Sequence, residues 1–105
     1  MSLVVEQLLK ESEVALLSER RASPRKPFAR PVLITHGRNG TFPGFSRDIS
    51  DFGIGVIDQS EWESGTIADI EIHSLFGRNV TVRAEARWCD QYGKGFYVTG
   101  WYFLD

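Results

Sequence analysis

Two short stretches carry the side chains best suited to chemistry, and they lie apart in the chain. Arg20, Arg21 and Arg25 fall in Arg20-Arg21-Ala22-Ser23-Pro24-Arg25, and Asp48, Ser50 and Gly53 fall in Asp48-Ile49-Ser50-Asp51-Phe52-Gly53. A guanidinium fork donates two parallel bonds to phosphate oxygens or to guanine O6 and N7, and its flat face stacks on a base. A carboxylate is an acceptor suited to the N1–H and N2–H donors of guanine, and a hydroxyl beside it gives or takes one bond more. Asp48 and Ser50 are two residues apart, so on a strand they project to the same face. Gly53 and Gly55 permit a sharp corner and close approach of a ligand. Together the stretches fit a ligand bearing guanine and phosphate. Each also has a plain explanation: the cationic run as a solvated linker, the second stretch as a β-turn whose Asp and Ser cap backbone groups.

Covalent and metal chemistry find no comparable pattern. A nucleophile needs a base within reach, and the only histidines, His36 and His73, read as surface residues beside a turn and on the polar side of a strand. One cysteine, Cys89, and two scattered histidines give no metal-ligand spacing, and no Gly-Lys-Ser/Thr run marks a phosphate loop. The residues therefore point to binding and not to an enzyme, with no catalytic residue, metal or cofactor.

A small domain must position these side chains. The chain has 105 residues, 42% hydrophobic and 25% charged, which suits one soluble domain with a modest core. Its formal net charge of -2 argues against binding nucleic-acid polymers through bulk charge. There is no apolar run near the roughly 20 residues that cross a membrane and no signal peptide, so neither membrane insertion nor export is expected. With the lone Cys89, this makes the cytoplasm the default location. Residues 1–19 read as an N-terminal amphipathic helix, with Val4, Leu8, Leu9 and Leu16 on one face over 3–19; it either packs on the domain or pairs two protomers as a homodimer. Pro24, Pro27 and Pro31 break residues 20–31 into an extended, arginine-rich strap that can order on contact with a ligand.

Residues 32–105 read as all-β: a six-stranded antiparallel β-barrel, with strands at 32–34, 41–49, 53–57, 68–73, 80–88 and 96–103 joined by Gly-rich turns. Pro43 and Gly44 predict a bulge or an edge position in the second strand. Val80, Val82, Ala84, Ala86 and Trp88 alternate with polar residues, which puts Trp88 on the dry face and favours core packing over site lining.

The order, spacing and β context of the two stretches resemble the PilZ domain family, bacterial receptors for cyclic di-GMP. The family's signature is an Arg-x-x-x-Arg segment ahead of a six-stranded barrel, then Asp/Asn-x-Ser-x-x-Gly between early strands. Arg21 to Arg25 matches the first and Asp48 to Gly53 the second, and the Trp88 strand followed by Gly100-Trp101-Tyr102-Phe103 is also similar. The resemblance covers residues 20–105. It implies that Arg21 and Arg25 grip the phosphates and guanine edges of cyclic di-GMP, that Asp48 and Ser50 hold a guanine, that Gly53 shapes the corner and that Trp88 can line the site. It also implies that Arg20, just before the first motif arginine, influences stoichiometry. A long cation there is similar to members that bind an intercalated ligand dimer, so two ligands per protomer are expected. Many relatives continue into a C-terminal helix that covers the barrel; here the chain stops at Asp105, and the helix at 3–19 is expected to cover the barrel or pair two protomers.

What the resemblance implies is a receptor without chemistry of its own, in which the ligand orders the strap and alters the surface shown to an effector protein. Two other readings stand beside it. One is a PilZ-like interaction module that works without ligand. The other is a small barrel that binds single-stranded nucleic acid through arginines and Phe42, Phe45 and Phe52, against which the net charge of -2 counts.

Overall fold

Alternating apolar residues become strands whose inner faces share one core in the computed structural model of the protein, which describes residues 25–104. The helix expected at 3–19, and Arg20 and Arg21 with it, lie outside the described residues. Seven strands follow in order: β1 (Lys26–Pro27), β2 (Pro31–Thr35), β3 (Thr41–Ile49), β4 (Gly53–Asp58), β5 (Ile67–Ile72), β6 (Val80–Gln91) and β7 (Tyr97–Leu104). They pair in the order β3-β2-β5-β6-β7-β4, and β4 pairs back onto β3. The six long strands thus close an all-β antiparallel barrel, which leaves few free edges. No helix among the described residues is long and apolar enough to cross a membrane.

The two-residue β1 is the one strand beyond the expected six. Lys26 and Pro27 pair with Ile49 and Asp48, while β2 pairs with residues 41–45, so β1 and β2 lie end to end along one edge of β3. Buried Ser46 stitches the gap between them. Its amide donates to the Arg30 carbonyl at 2.8 Å, its hydroxyl accepts from the Arg30 amide at 2.8 Å, and that hydroxyl also donates to the Phe28 carbonyl. The segment around Arg25 is therefore extended, as its prolines require, and runs along the strand that carries Asp48.

The core joins large and small partners. Ala84 lies opposite Phe103 and Ala86 opposite Trp101, so small residues on β6 leave room for rings on β7. Ile34, Ile49, Ile54, Ile70 and Ile72 are fully enclosed around them. Trp62, from the connection after β4, is buried against this core, edge-on to Trp101 at 5.2 Å and to Phe42 at 5.1 Å between ring centroids.

The expected irregularity in β3 sits elsewhere. Pro43 pairs with Leu33 of β2 and lies before β3 meets β4 at Gly44, so the edge reading holds for Pro43. The bulge is at Arg47, between Ser46 and Asp48. A second bulge, at Arg87, lies between Ala86 and Trp88 of β6.

Candidate functional site

A bulge inserts one residue and so reverses which face the following side chain takes. On β3 the register passes from Ser46 opposite Val56, which is buried, to Asp48 opposite Gly55. On β6 it passes from Ala86 opposite Trp101, also buried, to Trp88 opposite Gly100. Gly55 and Gly100 are themselves paired. A single row, Asp48–Gly55–Gly100–Trp88, therefore crosses β3, β4, β7 and β6 on the outer face of the barrel. The bulge overturns the expectation that Trp88 packs in the core: unbroken alternation would have kept it inside, but it is 40% exposed.

The two glycines let the end residues lean inward. A Cβ on Gly55 would lie 2.6 Å from Asp48 Oδ1, and a Cβ on Gly100 would overlap the Trp88 indole. Neither glycine has a positive φ. Their role is to leave space on the sheet, so the expectation that Gly55 helps form a sharp corner is replaced by one of close side-chain approach. Gly53 is similar. It opens β4 opposite Tyr102, and a Cβ there would overlap the Trp101 carbonyl oxygen.

Asp48 joins the two sequence stretches. Arg25 places Nη2 2.7 Å and Nε 3.2 Å from Oδ1, and Arg47 places Nη2 and Nε each 3.0 Å from Oδ2. Oδ1 thus accepts two N–H groups from Arg25, while Oδ2 accepts one from Arg47 Nε and is ion-paired with its Nη2. A guanine edge can reach this carboxylate only if guanidinium groups give way.

Ser50 takes a different place from the one expected. β3 ends at Ile49, so Ser50 lies beyond the strand and the two-residue phase argument does not apply to it. Its hydroxyl accepts from the amides of Phe52 at 3.2 Å and Gly53 at 3.3 Å, and its own amide donates to the Gly53 carbonyl at 2.9 Å. Ser50 is buried and holds the β3–β4 turn shut.

Beside the row opens a cleft of about 290 Å³, counted out to the solvent at its mouth. Arg25, Phe52, Arg87, Trp88 and Tyr102 line it, with Gly53, Gly100 and Trp101 beneath. Among the described residues, no group of three or more His, Cys, Asp or Glu could hold a metal ion. His36 accepts or donates at Nδ1 with Asn39 at 3.2 Å, and His73 lies 3.8 Å from Glu71, both away from the cleft lining.

The family model for the PilZ domain matches residues 19–104. The chain belongs to the PilZ domain family. PilZ domains form a family of cyclic di-GMP-binding receptor and adaptor modules. Among solved structures the chain is similar to the Bacillus subtilis inhibitor of motility, MotI/DgrA, with a TM-score of 0.64 and 19% identity over 83% of this chain. That likeness is one of fold, and the chain spans 44% of the length of that structure. No curated protein matches the chain.

Of the PilZ motif residues, the structure brings Arg25 and Asp48 into contact, puts Ser50 in the turn after β3 and puts Gly53 at the start of β4; Trp88 stands across the glycine row from Asp48. Arg47 and Arg87 were given no site role from the sequence, and Gly100 and Tyr102 entered only as part of the likeness to the family. A signal existed in β3, where the buried apolar phase shifts from Phe42 to Ile49. In β6 it was hidden, because Trp88 continues the apolar alternation in sequence while leaving it in space.

Proposed function

We propose that the protein is a cytoplasmic receptor for cyclic di-GMP, with Arg20, Arg21, Arg25, Asp48, Ser50, Gly53 and Trp88 forming its site. The observation that carries this reading is the contact of Arg25 with Asp48, which unites the two motif stretches beside a cleft walled by Trp88. Asp48 is paired with Arg25 and Arg47. On binding, Asp48 exchanges the Arg25 guanidinium for the N1–H and N2–H donors of a guanine, and Arg25 exchanges carboxylate for phosphate, so both keep hydrogen-bond partners. Trp88 offers a flat ring for the base, and Gly100 gives the indole its seat on the sheet. Ser50 and Gly53 keep the corner in shape.

Arg20 and Arg21 close over the ligand from the strap, and Arg20 favours two stacked ligands per protomer. Closure of Arg20 and Arg21 over the ligand changes the surface offered to an effector protein, which is the output of a module with no chemistry of its own. The helix at 3–19 covers the barrel or pairs protomers in this scheme.

Calorimetric titration with cyclic di-GMP tests the reading. Saturable binding with two ligands per protomer is expected, and Arg25→Ala should weaken it by about 1–3 kcal/mol, the worth of a charge-assisted hydrogen bond, or roughly five- to 150-fold in affinity. No heat from the wild-type chain at high micromolar ligand would leave the ligand-independent module as the better account.

A further inference from the structure

Arg87 belongs to neither PilZ motif stretch, yet it lines the same cleft as Arg25 and Trp88. The bulge in β6 displaces it from the regular alternation. Its guanidinium carbon lies 4.3 Å from the centre of the Tyr102 ring, and Tyr102 stacks on Phe52 with centroids 6.4 Å apart and planes within 6°. Phe52 is 62% exposed, so neither core packing nor simple burial accounts for this pile of flat groups. Glu85 Oε1 sits 3.6 Å from Arg87 Nε and steadies one edge of the fork. No hydrogen bond among the described residues uses the Nη groups of Arg87, which remain available for an acceptor in the cleft.

A long cationic side chain normally loses much rotamer freedom when a ligand fixes it. Here the Tyr102 ring, itself backed by Phe52, and the Glu85 carboxylate restrain it. Arg25 approaches from the β3 side of the row and Arg87 from the β6 side. A cyclic dinucleotide carries two phosphates, so a cation on each side matches its charge distribution.

Resting on the cyclic di-GMP reading, we propose that Arg87 is a further binding residue of this site, held by Tyr102 and Phe52, whose Nη groups donate to a phosphate oxygen of the bound cyclic dinucleotide. Tyr102 and Phe52 are positioning residues that act through Arg87.

Calorimetry with cyclic di-GMP on the full chain at two salt concentrations tests this. Arg87→Ala is expected to weaken binding at least tenfold, to reduce the dependence of affinity on salt, and to leave the thermal midpoint unchanged. Arg87→Lys keeps the charge without the planar fork and should restore only part of the affinity. Tyr102→Ala should weaken binding, and the double variant should bind no more weakly than Arg87→Ala alone, because both changes remove one contact. Wild-type binding with Arg87→Ala within twofold of it would overturn this assignment and leave the receptor reading intact. A loss of affinity with unchanged salt dependence would overturn the phosphate contact. A wild-type chain that takes up no ligand would overturn both.

Discussion

Asp58 sits buried at the end of β4, its Oδ2 accepting from the Trp62 indole at 2.9 Å and its Oδ1 from the Ser60 amide at 3.2 Å. Burial pushes its carboxyl above the ordinary aspartate value, and the bonds from Trp62 and Ser60 only partly offset that. A folded pKa above the unfolded one means the folded state holds the proton more tightly. Stability from this group therefore falls as pH rises from the unfolded value through the folded one, and the loss is complete above that window. Asp58→Asn should remove this fall, read as the difference between urea midpoints of variant and wild type across the carboxylate range; parallel profiles would contradict it. Asp58→Ala leaves the Trp62 N–H without its acceptor and should cost about 1–3 kcal/mol in the same measurement. Asp58 was not legible in the sequence as a buried group, because nothing near it announces that Trp62 turns into the core. Asp48 was legible as a binding residue from its motif, but its clasp between Arg25 and Arg47 was not, since that depends on one inserted residue in β3.

At the scale of elements, glycines on paired strands make a sharper comparison than any single side chain. Gly100→Ala meets the Trp88 indole, a side chain on the surface that can swing aside. Gly53→Ala meets the Trp101 carbonyl, which is held in the ladder between β4 and β7. The first variant should keep most of its stability but lose the leaning position of Trp88, seen as a shift in tryptophan emission and weaker ligand binding. The second should lose about 1–3 kcal/mol, as overpacked sites do, measured by urea unfolding. Equal destabilisation by both would contradict the distinction. The strands themselves were readable: β3 matches its expected span, β2, β4 and β6 extend theirs by one to three residues, and β5 and β7 are each displaced by one. Period-two alternation and Gly-rich turns are local signals, and they survive folding. The bulges are set by pairing between distant strands, so local pattern carried little trace of them and misplaced Trp88.

For the whole molecule, closure depends on strands far apart in sequence, with Gly53 opposite Tyr102 joining β4 to β7 and Val32 opposite Ile72 joining β2 to β5. Non-local pairing of this kind folds slowly, in roughly milliseconds to seconds, and stopped-flow tryptophan fluorescence should show refolding in that range; a microsecond phase carrying the full amplitude would be inconsistent with it. The barrel class was legible from strand number and turn spacing, whereas the pairing of β2 with β5 and of β4 with β7 was not, because no residue encodes its partner by type alone. That closed lattice also makes the glycine row a ruler. Asp48 and Trp88 stand three strand spacings apart, about 14 Å at roughly 4.8 Å per step, and backbone hydrogen bonds set that gauge. Exchanging side chains along the row alters what is gripped at each end, while the length of ligand that fits between them stays a property of the sheet.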